Sequence, residues 1–297
     1  MRRKTPGIII LFSFILIAGC STPGSGKEGA TGGSADYIEN KGSDTLVNLA
    51  LAWAEAYQGT HPEVRISVTG GGSGTGLTAL INGTIDIANA SREIKPEEIK
   101  TAQEGGFEPV EFIVANDAIA VIVNPQNPVD QLTLEQVSGI FKGEIENWQE
   151  VGGEDRPIVK LSRETNSGTH VYFLETVVRL GDSDDPSIFS PDTLLLPSSE
   201  GIIAEVQDNP NAIGYDGLGY VTEEVKKVAL SPTGEGPYIL PSSETVINNQ
   251  YPISRHLYMY TRGQPQGSEA EYLDWIMSAE AQSIVTELGF VPIASQQ

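Results

Sequence analysis

The chain has 297 residues, 39% of them hydrophobic, with a formal net charge of −22. That is long enough for two ordinary cores and too acidic for a nucleic-acid binder, which needs a basic stripe. The single cysteine excludes an internal disulfide, so packing has to hold the fold. A small anion is not excluded, because exposed charges are screened over about 8 Å at physiological salt and a few local amides and Arg side chains can outweigh them.

The chain opens with an export signal. Arg2, Arg3 and Lys4 form its basic end, and Ile8 to Ala18 is an apolar run shorter than the roughly 20 residues a membrane helix needs. Ile17-Ala18-Gly19-Cys20 supplies the small residues of a cleavage site. A plain signal peptide or a buried N-terminal strand is the other reading. Residues 1–19 hold three basic groups and no acid, so their removal takes the charge from −22 to −25. Residues 20–35 are rich in Ser, Gly and Thr and read as a flexible linker reaching about 20 Å. The folded part is expected to begin near Asp36.

Lys41-Gly42-Ser43-Asp44-Thr45-Leu46 opens the first predicted helix, on which Leu46, Leu49, Ala50, Trp53 and Tyr57 recur at helical spacing. Ser43 and Asp44 are good caps; capping alone would explain them. Next, an apolar strand, Val64 to Val68, runs into the glycine-rich stretch Thr69 to Leu80, and a helical pattern at Leu77, Leu80 and Ile81 follows. Glycine allows positive φ or contact with bare backbone, and the free amides of a helix start attract an anion. The stretch therefore reads as half of an anion site, or as a plain flexible turn. It is not a P-loop, since Leu77 follows Gly76, and not a nucleophile elbow, since Thr75 breaks the spacing around Ser73.

Ile85 to Ala90 alternates like a strand and delivers Ser91 and Arg92 to the same sheet edge, where open α/β sheets hold ligands. A helix is predicted from Pro96 to Gly105. From Phe112 to Val123 two apolar runs flank Asn116-Asp117, and a crossing between lobes is placed around Ala115 to Ala118. Leu134 to Phe141 is a helix capped by Thr133, and Gly143 to Trp148 a turn with one aromatic anchor. The strand Ile158 to Leu161 then leads into Ser162-Arg163-Glu164-Thr165-Asn166-Ser167-Gly168-Thr169 and another helix, a second strand, hydroxyl-rich turn and helix unit.

Gly181 to Ser199 is a polar loop with Asp182, Asp184 and Asp185 but without the ligand order of a calcium loop, so no metal is expected. Ala212 to Tyr220 is a strand and turn. Ile253 to Thr261 is an apolar strand interrupted by Arg255 and His256, with Tyr251-Pro252 marking a return crossing. Ser268 to Leu288 forms two amphipathic helices with Tyr272, Trp275 and Ile276 inward. A hydrolase using Ser73 or Ser167 would need a base; of His61, His170 and His256, only His170 stands near such a serine in sequence.

In family order along nearly the whole mature chain, Gly42 to Thr45, Gly72 to Gly76, Ala88 to Arg92, Phe141 to Trp148, Arg163 to Thr169, Ala212 to Tyr220, Tyr251 to Thr261 and Glu271 to Pro292 resemble the PstS-type phosphate-binding lipoproteins of ABC importers. The resemblance implies a non-enzymatic, type II periplasmic-binding-protein fold: two α/β lobes joined by two crossover hinge strands. One lobe would comprise 36–115 and 255–297, the other 116–254. It implies phosphate ligands at Ser43, Thr45, the Leu46 amide, Ser73, Gly74, Thr75, Ser91, Arg92, Arg163, Ser167, Gly168 and Thr169. It also implies cleavage before Cys20, a lipid on Cys20, a monomer held outside the cytoplasm on the cell membrane (on the periplasmic side in a two-membrane envelope), and delivery to ABC permease subunits. Some members carry an Asp where this chain has Arg92, which leaves sulfate, molybdate or tungstate, or a sensor role, as alternatives. Asp44 or Glu164 is the candidate replacement acceptor for the ligand's proton.

Overall fold

The computed structural model of the chain describes residues 36–293; the export signal, Cys20 and the linker lie outside them. The first half begins with β1 (Asp36–Gly42), α1 (Asp44–Thr60), β2 (Val64–Thr69), α2 (Ser73–Ile81), β3 (Ile87–Ala90) and α3 (Pro96–Glu104). β1 lies parallel to both β2 and β3, so α1 and α2 both start at the same edge of the sheet. The helix signals act as expected at α3, where Pro96 opens the first turn and Gly105 ends the helix.

The long strand β4 (Pro109–Val123) links the halves. Up to Ala118 it pairs with the late strand, and from Ile119 onward with β8. The second half contains β5 (Gln131–Thr133), α4 (Leu134–Lys142), β6 (Val159–Arg163), α5 (Gly168–Phe173), β7 (Leu194–Leu196), α6 (Ser199–Asp208), β8 (Ala212–Gly217), β9 (Lys226–Lys227), β10 (Ala229–Ser231) and α7 (Ser243–Ile247). Thr133 and Gln136 form the capping box that starts α4. The chain returns through β11 (Ser254–Arg262) and ends in α8 (Ser268–Ile276) and α9 (Ala279–Glu287).

The main sheet runs β2-β1-β3-β11-β4-β8-β6-β7, with β9 beside β4. β11 is antiparallel to both β3 and β4, so this strand and β4 are the two crossover connections. In the first half, Leu46, Leu49, Trp53 and Tyr57 of α1 pack with Tyr272 and Ile276 of α8, and Trp53 Nε1 donates to the Ala281 carbonyl at 2.9 Å. Trp275, expected inward, is only half-buried. In the second half, Phe173 stacks on Tyr215 with centroids 3.6 Å apart, and Phe141 meets Phe173 edge-on at 5.0 Å. The anchor Trp148 is buried.

The glycine stretch differs from its expected form. α2 starts at Ser73, so Gly74 and Gly76 are helical, and only Gly71 and Gly72 take positive φ, 114° and 87°. Gly76 serves packing instead: a Cβ there would lie 2.5 Å from the Lys41 carbonyl oxygen.

Candidate functional site

Three turns of the first half place their hydroxyls in one buried chain. Ser43 occupies the N-cap of α1 yet makes no side-chain capping bond; its Oγ donates to Ser91 Oγ at 2.9 Å instead. Ser73, the first residue of α2, accepts from the Ser91 amide at 3.0 Å and lies 3.3 Å from Ser91 Oγ. All three side chains are buried. Helix starts that ordinarily spend their hydroxyls on their own amides here direct two of them toward a shared point.

The second half meets this cluster at the start of α5. Ser167 caps that helix, accepting from the Thr169 amide at 3.2 Å, which leaves its own proton free to be donated elsewhere. Thr169 Oγ1 lies 2.9 Å from Thr45 Oγ1 across the two halves. Gly168 packs directly on Ser73 and Ser91; a Cβ there would lie 2.6 Å from Ser91 Oγ and closer still to Ser73 Oγ. Main chain joins the halves too, with the Gly74 amide donating to the Asn166 carbonyl at 3.0 Å.

Guanidinium groups flank the hydroxyls. Arg163, at the end of β6 and buried, donates to Asp44 Oδ2 at 2.7 Å, Ser199 Oγ at 2.8 Å and the Pro197 carbonyl at 2.9 Å, and lies 3.7 Å from Asp216. Arg92 is also buried; it forms a two-pronged pair with Glu98 at 2.7 and 2.8 Å. The Nε of Arg92 and the Nε of Arg163 are buried and find no acceptor among the described residues. A buried donor without a partner is costly.

The carboxylates around these groups titrate according to their surroundings. Burial pushes Asp216 up, against the pull of Arg163, and pushes Asp117 up to about 6, against the pull of Arg255. For Glu98 burial acts upward as well, but the hydrogen bonds from Arg92 and the Lys95 amide prevail and hold it below the usual carboxylate range. Burial also lowers His170, whose Nδ1 lies 3.1 Å from Ser162 Oγ and whose ring packs on Phe189. His170 is a packed core histidine, not a base aimed at Ser73.

Ser43, Thr45, Ser73, Ser91, Ser167, Gly168 and Thr169 thus come together, with Arg163 and Arg92 at the margins. Other expected members do not join them. The Gly74 amide is taken by Asn166, and Thr75 stands half-exposed with its hydroxyl 3.5 Å from Asn166 Nδ2. The Leu46 amide donates to the Ser43 carbonyl at 3.0 Å. Glu164 is exposed, and both Asp44 oxygens are engaged, by Arg163 and by the Gly71 amide. Sequence reasoning missed Arg255, Asp117, Ser199 and Asp216 as neighbours of the cluster. The signal for the first two was present: one acid and one base, each inside an apolar strand. Among the described residues no group of three or more His, Cys, Asp or Glu side chains is arranged to hold a metal, and no helix is long and apolar enough to cross a membrane.

A family model described as a PBP superfamily domain matches residues 28–280. The phosphate-binding protein PstS of Pseudomonas aeruginosa is 33% identical over 281 residues, covering 89% of this chain and 85% of that protein. The Bacillus subtilis protein of the same name is 30% identical over 304 residues, covering 100% and 96%. A crystal structure from Clostridium perfringens, described as a substrate-binding protein of a phosphate ABC transporter with bound phosphate, has a TM-score of 0.78 and 32% identity. The match takes in 87% of this chain and 100% of that one.

Proposed function

We propose, from the premise that this chain belongs to the PBP superfamily and is kin to the PstS phosphate-binding proteins, that it captures inorganic phosphate outside the cytoplasm and hands it to an ABC importer. The observation that carries the reading is the meeting of hydroxyls from both halves, with Thr45 and Thr169 2.9 Å apart, beside two buried guanidiniums that each keep an unpartnered Nε. Such a cluster binds a tetrahedral oxyanion by charge-assisted hydrogen bonds. His170, the histidine nearest a serine of the cluster in sequence, faces Ser162 and packs on Phe189 rather than standing as a base toward Ser73.

In this reading Ser43, Thr45, Ser73 and Ser91 grip phosphate from one lobe, and Arg163, Ser167, the Gly168 amide and Thr169 from the other. β4 and β11 bend to close the lobes on it. The lobes divide at 115/116 and 254/255, Cys20 carries a lipid after cleavage, and the mature protein is a monomer tethered to the cell membrane. The relatives' association with ABC transporters supports the delivery step, and the lipobox-like Ile17 to Cys20 supports the tether.

Calorimetry on protein stripped of endogenous ligand, titrated with phosphate, arsenate, sulfate and molybdate, tests the reading. Tight binding of the first two is expected; preference for sulfate or molybdate overturns it.

A further inference from the structure

Arg255 lies buried in β11, directly opposite Asp117 in the register of β11 against β4. Its guanidinium touches groups from both halves at the cluster. Nη1 donates to the Ser91 carbonyl at 2.8 Å, and Nε and Nη2 reach Asp117 Oδ2 at 3.3 and 3.0 Å. Nη2 also reaches Thr169 Oγ1 at 3.0 Å and Thr45 Oγ1 at 3.4 Å. Asp117 Oδ1 accepts from the Leu218 amide at 3.0 Å, so the acid is fixed from its other side. The Tyr172 ring covers the guanidinium, 5.4 Å from Cζ to centroid. A purely structural ion pair would need Asp117 alone; contact with two threonines from opposite halves asks for another explanation.

A guanidinium only donates. A hydroxyl oxygen that accepts from it keeps its single proton for a different acceptor. One Nη2 proton serves Asp117 and the other lies between the two threonine oxygens, which in this structure also share a hydroxyl proton across 2.9 Å. An anion oxygen set between Thr45 and Thr169 replaces that contact, so that both hydroxyl protons turn toward it and it faces donors only. It has to be bare and charged, because a protonated oxygen there would leave hydrogens opposed and unpaired.

We propose that Arg255 is a positioning residue of the phosphate site, orienting the Thr45 and Thr169 hydroxyls as paired donors to one unprotonated phosphate oxygen. The inference rests on the phosphate reading above and adds to it a residue on the hinge strand and a proton direction. Asp117 balances the charge of Arg255 and keeps its planar fork in place.

The test is a double-mutant cycle read by phosphate calorimetry. Arg255→Gln is made together with Asp117→Asn, so that no lone charge stays buried, and the pair is measured alone and combined with Thr169→Val. Alone, the pair should weaken binding on the order of 30-fold or more, with Arg255→Lys recovering part of the loss. On the Thr169→Val background the same pair should cost only about 5-fold, because one of the two hydroxyls it orients is gone. Full multiplication of the two losses overturns the proposal, as does wild-type affinity in the Arg255 variants. Should the paired variant fail to fold by circular dichroism, Arg255→Lys against Thr169→Val gives the same comparison. Wild-type protein that shows no phosphate binding overturns the functional reading and this inference with it, whereas wild-type binding with an unaffected Arg255 variant overturns this inference alone.

Discussion

Arg163 satisfies two demands at once, which sets the consequence of losing it. It donates to Asp44 across the halves and lies beside the buried Asp216. Arg163→Ala should weaken phosphate binding by about 2–5 kcal/mol, because a buried charge partner is truncated. It should also lower the stability of the ligand-free protein, since Asp216 is left unpaired. Calorimetry reads the first effect and urea unfolding the second. Asp117 gives a pH prediction of definite sign. Its carboxyl is raised from 3.8 to about 6, so the folded state binds its proton more tightly than the unfolded chain. The stabilising contribution is therefore present below about pH 4 and lost as pH rises toward 6. The unfolding free energy of the wild type relative to Asp117→Asn should fall by about 2 kcal/mol between pH 4 and pH 7, measured by denaturant titration without ligand. A flat difference would mean that Arg255 holds the carboxyl near its ordinary value.

The hydroxyl-bearing turns act through their backbones as much as their side chains. Gly168 is the first residue of α5 and its φ is not positive, so alanine suits the local conformation and would even help the helix. The obstacle is across the cleft, where the added Cβ would press on Ser73 and Ser91. Gly168→Ala should therefore weaken phosphate binding at least about tenfold, or 1.4 kcal/mol, as read by calorimetry. Near-native affinity would show that the halves bind phosphate without closing this far. The turns themselves were legible in the sequence because a strand, a run of small hydroxyl residues and a helix start are local patterns. What stayed hidden depends on distant partners. Gly74 looked like an anion ligand, and nothing in its neighbourhood says that the Asn166 carbonyl takes its amide. Arg92 looked free for the same reason, until α3 brings Glu98 back to it. The Arg255 and Asp117 pair required the register of β11 against β4, which no local window contains. α6 was overlooked in the residues left unassigned between the polar loop and Ala212, although Ser198 followed by Ile202, Ile203 and Val206 has the cap and spacing of a buried helix.

The whole molecule is a strongly acidic body, −22 over the full chain, that is to take up an anion. Its distant field repels phosphate, while the attraction belongs to a few groups inside the cluster. Screening therefore acts mainly on the repulsion, and the association rate for phosphate should rise with added sodium chloride rather than fall. Stopped-flow measurement between low and physiological salt checks this; a falling rate would assign the steering to the guanidiniums. A cavity of about 610 Å³ lies between the halves and shares Arg92 and Arg255 with the cluster, with Tyr172, His256 and Tyr258 among its walls. It gives solvent a path to the guanidinium side of the cluster.

The link from Gly74 to Asn166 uses no side-chain atom. A change at Asn166 leaves its carbonyl available, whereas a Cβ added at Gly74 would lie 3.3 Å from that same oxygen, so the grip of one turn on the other survives drift at one end only. How long cargo stays trapped then becomes a property of the two strands that flex, which is where a faster or slower courier would have to be made.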